Sequence, residues 1–185
     1  TIRHSKRGEK FIGLDDQEYI LDDNMIVICD DKEIISLAGI LGGKNTCCDE
    51  KTKNILIESA YFLPESIAFT GRKLNIQSDA RYRFERGIDP MSTIDGLEMA
   101  TQMIEKICGG NIGTITNNKI IFEQPKQINL SIEFVNNLLG TNIKKEVISE
   151  SLKKIGCVIK NDKKNFLVTP PSWRQDIIMQ EDLVE

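Results

Sequence analysis

The sequence predicts an α+β chain in two parts, a mixed or antiparallel sheet with packed helices followed by a small α/β unit. Three observations predict it. Short apolar runs bounded by Gly, Asn and Asp fill the first part, as strands of a sheet do. Leu97, Ala100, Ile104, Ile107 and Cys108 then recur at helical spacing. After Glu123-Gln124-Pro125-Lys126 the rhythm changes to a strand, two short helices and a hairpin, which divides the chain into 1–123 and 124–185.

Met25 to Cys29 is a short apolar run ending in Asp30-Asp31, a strand and its turn. Glu33 to Leu41 is a second strand broken at Gly39, and Gly42-Gly43 lets the backbone turn or approach something closely. Asn54 to Phe62 alternates in part, with Ile55, Ile57 and Ser59 on one side and Leu56, Glu58 and Ala60 on the other, so it is expected as a strand. Pro64 suits the first turn of a helix running to about Leu74. Ser92 can start, and Gly109-Gly110 can close, a helix over 92–108 whose apolar stripe is expected to face a core. Ile112 to Phe122 reads as one or two further strands.

In the second part, Ile128 to Leu130 is a strand. Ser131 to Leu139 is a helix stopped by Gly140, and Lys144 to Ile155 is one stopped by Gly156. Cys157 to Lys160 and Phe166 to Thr169 form a hairpin around Asn161-Asp162-Lys163-Lys164. Two short helices and a hairpin resemble a winged helix, which invites a DNA-binding reading. The second helix mixes Lys144, Lys145, Lys153 and Lys154 with Glu146 and Glu150, so it steers a polyanion poorly. A structural or RNA-proximal role is expected, without DNA.

Composition narrows the classes. The 185 residues are 40% hydrophobic and 28% charged, ordinary for globular protein. No apolar run approaches the ~20 residues of a membrane span. Thr1 to Lys10 is polar and basic, not a signal peptide. Cys29, Cys47, Cys48, Cys108 and Cys157 are odd in number and lack zinc spacing, so reduced thiols in the cytoplasm are expected. A net charge of -4 argues against a general nucleic-acid binder. Between Thr70 and Gly87, however, Arg72, Lys73, Arg81, Arg83 and Arg86 outnumber Asp79 and Glu85. A basic patch on an acidic body suits one docked RNA end.

That patch culminates in Ser78-Asp79-Ala80-Arg81-Tyr82-Arg83-Phe84-Glu85-Arg86-Gly87-Ile88-Asp89-Pro90. Arginines at i, i+2 and i+5 cannot share one helical face, so a loop or strand end is expected. Planar cations beside aromatics favour polyanions, RNA above all. An ordinary polar surface loop is the alternative.

Four blocks in register carry a resemblance. They are Leu37-Ala38-Gly39-Ile40-Leu41-Gly42-Gly43, then Asn54 to Phe62, then the arginine run, then Pro170-Pro171-Ser172-Trp173-Arg174-Gln175-Asp176 with Glu181-Asp182-Leu183-Val184-Glu185. In this order and spacing the chain resembles the β subunit of bacterial phenylalanyl-tRNA synthetase, over an internal piece covering most of the editing domain and the small winged-helix-like domain after it. The resemblance implies a part of an ATP-dependent ligase, with the ATP chemistry in a catalytic α subunit of an α2β2 assembly. It implies that this region hydrolyses tyrosine mischarged onto phenylalanine tRNA in the cytoplasm. The alternatives are a tRNA- or subunit-docking module without hydrolysis, and a free-standing deacylase-like amino-acid-binding protein.

Tyrosine and phenylalanine differ by one hydroxyl, and a second, hydrolytic site is the general remedy for such errors. From the residues alone, Glu58 is either a solvated carboxylate or one that needs a partner among apolar neighbours. The resemblance implies that Glu58 hydrogen-bonds the tyrosine hydroxyl, that Gly42 lines the pocket, and that Ser78 and Ala80 form its wall. Ser78 stands where many relatives have threonine, which implies a slightly roomier pocket. Ser78 hydroxyl and backbone N–H groups near Gly42-Gly43 and Ser78 to Ala80 are candidate donors to a developing oxyanion. No nucleophile–base pair is evident, so covalent catalysis is not expected. The family's Gly-Gln-Pro-x-His-Ala-Phe-Asp segment has no match here, and His4 does not replace its histidine, so an incomplete pocket is expected. Arg72, Arg81, Arg83 and Arg86 are the tRNA-binding candidates.

Asp176, Asp182 and Glu185 form an acidic tail. Asp182 and Glu185, at i and i+3, are expected on one helix face, where acids offset a helix dipole or, as hard oxygen ligands, hold magnesium. The resemblance implies Mg2+ shared with the α subunit and a fourth ligand just beyond Glu185. Trp173 is expected as a packing anchor.

Overall fold

The computed structural model describes residues 1–117, 125–161 and 165–185. It divides into two compact units, Thr1–Ile88 with Thr93–Ile112, and Asp89–Ser92 with Gly113–Glu185. Helices and antiparallel sheets together make an α+β protein.

In the first unit, β1 (Ile2–His4), β4 (Ile26–Cys29), β5 (Ile34–Leu37) and β6 (Leu41–Gly42) form one antiparallel sheet in the order β1-β4-β5-β6. β2 (Lys10–Ile12) and β3 (Glu18–Ile20) form a separate hairpin. The apolar run predicted the central β4. Its alternation puts Val27 and Cys29 into the core while Ile26 and Ile28 are half-buried. The three-residue strands β1, β2 and β3 give no comparable signal, because only two or three alternating positions mark each one. Gly39, at φ +67°, turns the chain between β5 and β6, so that Leu37 pairs with Leu41.

α1 (Pro64–Lys73) begins on Pro64, as its sequence predicts. α2 (Asp79–Phe84) overturns the expected loop over the arginine run. The Ser78 side chain caps it by accepting from the Arg81 backbone N–H, and Asp79 lies in its first turn. Ser78-Asp79 was therefore a legible start signal, and Arg86 falls beyond the end of this short helix.

Asn54 to Phe62 takes no strand, a second correction. Leu56 is 91% exposed, so partial alternation there does not record a buried sheet face. After a 3₁₀ turn at Pro90–Ser92, α3 (Thr93–Cys108) forms as expected but buries none of its residues. Leu97, Ala100 and Ile104 are half-buried, and Ile107 and Cys108 are exposed, so the stripe is not core. Residues 111–117 form no strand, and the rest of that expectation, 118–122, lies outside the described residues.

The second unit follows its pattern closely: β7 (Ile128–Ser131), α4 (Ile132–Leu139), α5 (Lys145–Lys154), β8 (Val158–Asn161) and β9 (Asn165–Thr169), with sheet order β7-β9-β8. Ser131 caps α4, and Gly140 ends it in the left-handed region. Leu130, Phe166 and Val168 are the sealed centre of this unit's core. The expected hairpin turn at 162–164, and residues 123–124 of the expected boundary, lie outside the described residues. Among the described residues no helix is long and apolar enough to cross a membrane.

Candidate functional site

The site is built on the turn between β5 and β6. A Cβ on Gly39 would lie 2.9 Å from both Phe62 Cδ2 and Ile67 Cδ1, so only glycine lets these side chains close over the turn. Phe62 packs on Phe84 with ring centroids 5.3 Å apart, which ties the segment carrying Glu58 to α2. Ser78 hydroxyl donates to the Ile40 carbonyl at 2.6 Å and accepts from Arg81 N–H at 3.1 Å. One serine thus joins the start of α2 to the turn that leads into Gly42.

This bonding changes what Ser78 can do. Its proton is engaged by Ile40, so as placed it is a positioning residue and not a free donor. Gly43 N–H is engaged by Ile35 carbonyl at 2.8 Å. Asp79 and Ala80 N–H groups, in the first turn of α2, make no hydrogen bond with another described residue and are candidate amide donors. Gly42 and Ala80 are both half-buried, and a Cβ on Gly42 would lie 3.0 Å from Leu14 Cδ1.

Glu58 lies on the extended segment, whose neighbour Ser59 donates to Thr93 carbonyl at 2.7 Å. Solvent reaches Glu58, yet the protein crowded around it desolvates the carboxyl and raises its pKa above the ordinary carboxylate value. Glu58 is therefore an exposed carboxylate, partly desolvated by its surroundings. It has no hydrogen bond or ion pair with another described residue. Desolvation of a carboxyl is one of the perturbations that functional sites use. Among the described residues no hydrogen bond joins its carboxyl to Ser78, Ala80 or Gly42; Phe62, packed on Phe84 and against Gly39, ties its segment to the turn.

Among the arginines the structure separates two roles. Arg81 is 8% exposed, and its guanidinium donates to Ile76 carbonyl at 2.6 Å and to Glu85 at 3.0 Å. It is therefore a bracing residue within the first unit, not a surface cation. Arg72, Arg83 and Arg86 are exposed. Arg86 stacks 3.7 Å above the ring of Tyr82, which is itself 61% exposed. Tyr82 was not among the sequence candidates, although an aromatic between two arginines was the signal that could have found it.

In the second unit the acidic tail forms successive turns and not the expected helix. Arg174 grips Asp176 in a bidentate pair, with contacts of 2.6 and 2.8 Å, and holds its pKa below the ordinary value. Asp182 accepts from Ile178 and Met179 N–H, both at 2.9 Å. Among the described residues no three His, Cys, Asp or Glu side chains converge to hold a metal ion. Asp176, Asp182 and Glu185 as placed do not fit a magnesium ion by themselves, because two of the three already serve local partners. Trp173 packs on Gly156, where a Cβ would lie 2.8 Å from its ring, yet the indole stays 61% exposed.

Residues 1–109 match the B3/4 domain family, and residues 128–185 match the tRNA synthetase B5 domain family. The whole chain is 40% identical to the phenylalanine--tRNA ligase beta subunit of Brucella abortus (strain 2308). It is 41% identical over 184 residues to that of Ruegeria pomeroyi, and 40% identical over 190 residues to that of Syntrophus aciditrophicus. The chain spans 23 to 24% of the length of these curated relatives.

Proposed function

From a chain that belongs to the B3/4 domain family and continues into a tRNA synthetase B5 domain, we propose an internal part of a phenylalanine–tRNA ligase β subunit that hydrolyses tyrosine mischarged onto phenylalanine tRNA. The observation that carries this reading is Glu58, a carboxyl that the surrounding protein desolvates and that has no hydrogen bond or ion pair with another described residue. An ionised Glu58 accepts a hydrogen bond from a phenol and finds nothing to bind on a phenyl ring. The difference of one hydrogen bond to a charged group is worth about 1.5–3 kcal/mol. Its raised pKa makes it a stronger acceptor.

Hydrolysis of the ester to the terminal ribose needs an oriented water and donors at the developing oxyanion. Asp79 and Ala80 N–H groups are the donors this chain offers, with Ser78 setting their position through Ile40. Gly42, packed against Leu14, would line the pocket beside the ring. Arg72, Arg83 and Arg86 would receive the tRNA backbone. The catalytic α subunit would supply the ATP and magnesium chemistry of an α2β2 assembly in the cytoplasm, and Asp176, Asp182 and Glu185 could contribute to a magnesium site only alongside donors from that partner.

A second reading, a docking module without hydrolysis, draws on the exposed Arg86–Tyr82 stack. Hydrolysis of tyrosine-charged phenylalanine tRNA by the full-length enzyme, wild type against Glu58→Ala with phenylalanine-charged tRNA as control, separates the two. Selective loss on the tyrosine ester supports editing; unchanged rates on both esters leave docking.

A further inference from the structure

Cys47 and Cys48 are adjacent in sequence, both exposed, and both free thiols. The turn that follows Gly42-Gly43 carries them, and tethers hold the chain on either side. Before them, Asn45 donates to Glu33 at 2.8 Å and Thr46 to Ile35 carbonyl at 3.3 Å. After them, Asp49 N–H donates to Thr52 hydroxyl at 2.9 Å, and Thr52 hydroxyl returns to Asp49 at 2.9 Å. The pair lies outside any strand, so it escapes the alternation that would send neighbouring side chains to opposite faces.

The spacing decides which chemistry such a pair can do. Consecutive Cα atoms across a trans peptide are about 3.8 Å apart, whereas disulfides usually span about 4.4–6.8 Å. A direct disulfide would strain the backbone, and a single atom bridging the two sulfurs relieves that. A tetrahedral zinc site needs four ligands. Among the described residues no third His, Cys, Asp or Glu converges with this pair. The remaining fit is an electrophilic centre that asks the protein for two thiols and brings its own third substituent. We propose that Cys47 and Cys48 form a dithiol site that captures a thiophilic trivalent metalloid.

With phenylarsine oxide as the probe, two S–As bonds form and the As–O bonding breaks. The oxygen leaves as one water carrying both thiol protons, and arsenic stays trivalent. The second S–As bond closes within one molecule, so the bridged adduct outlasts a single-thiol adduct by about a hundredfold or more. Cys29 and Cys157 are buried, and Cys108, although exposed at the end of α3, has no adjacent cysteine with which to chelate.

The test loads the chain with phenylarsine oxide, challenges it with excess monothiol, and follows the adduct by intact mass and peptide mapping. Wild type and Cys108→Ser should keep one adduct that a dithiol removes. Cys47→Ser and Cys48→Ser, both at exposed positions and monitored for folding by circular dichroism, should lose it to the monothiol. Equal retention in either single variant, or mapping of the adduct to Cys29, Cys108 or Cys157, would overturn the proposal, as would a wild-type adduct lost as fast as those of the variants.

Discussion

Gly71 and Arg81 occupy one shared space: a Cβ built on Gly71 would lie 2.3 Å from Arg81 Nε. The helix α1 gives up its side chain at that position so that a guanidinium from α2 can lie against its backbone and reach Ile76 carbonyl and Glu85. A glycine inside a helix costs about 1 kcal/mol relative to alanine. The close approach explains why it stands here.

Gly71→Ala should therefore destabilise the protein, because overpacking of about 1–3 kcal/mol outweighs the propensity gained. Chemical denaturation measures it. Combining Gly71→Ala with Arg81→Ala should be strongly non-additive, since the second change removes the atoms the first one strikes. Strict additivity would mean that the two residues do not meet.

Ser78→Ala should lower stability by about 1 kcal/mol or more, as it removes both the cap on α2 and the bond to Ile40 carbonyl. Ser78→Thr keeps the hydroxyl and should stay close to wild type. If both variants melt together, the hydroxyl is not what joins α2 to the turn.

Glu58 gives a pH dependence with a definite sign. Its folded pKa is raised, so the folded state binds the proton more tightly than the unfolded state does. Its contribution to stability is full below the unfolded pKa and lost as pH rises through the folded value. Glu58→Gln should remove this loss, leaving a flatter stability profile above the ordinary glutamate pKa than wild type shows.

Glu9 and Asp22 act in the opposite direction. Hydrogen bonds from Arg3 hold Glu9 down to about 2, and the Lys73 bond does the same for Asp22, also to about 2. Their contribution is full above the unfolded carboxylate pKa values and is lost as pH falls toward 2. Acid titration of Arg3→Ala followed by circular dichroism should show a shallower loss over that window.

The exposed arginines make the last prediction. Arg83→Ala with Arg86→Ala should weaken tRNA binding by the full-length protein and reduce its salt dependence, by about 0.7 in log–log slope for each lost contact to single-stranded RNA. Arg81→Ala should instead appear as lost stability. An unchanged salt slope in the double variant would place the RNA elsewhere.

What the sequence by itself determined was local. The apolar run of β4, Pro64 at the head of α1, and the Ser131 and Gly140 signals around α4 each act through neighbouring residues, so they are readable without a fold. Family membership was legible as well, since four blocks kept their order. Only the tertiary structure decided which groups are free to act. Arg81 and Arg83 differ by two positions, yet one braces the interior and the other meets solvent. The Ser78 proton is engaged because Ile40, distant in sequence, presents a carbonyl to it. The Asn54 to Phe62 segment alternates like a strand but takes an extended course outside any strand. Burial, pairing and desolvation are sums over residues far apart in the chain, and no local pattern contains them.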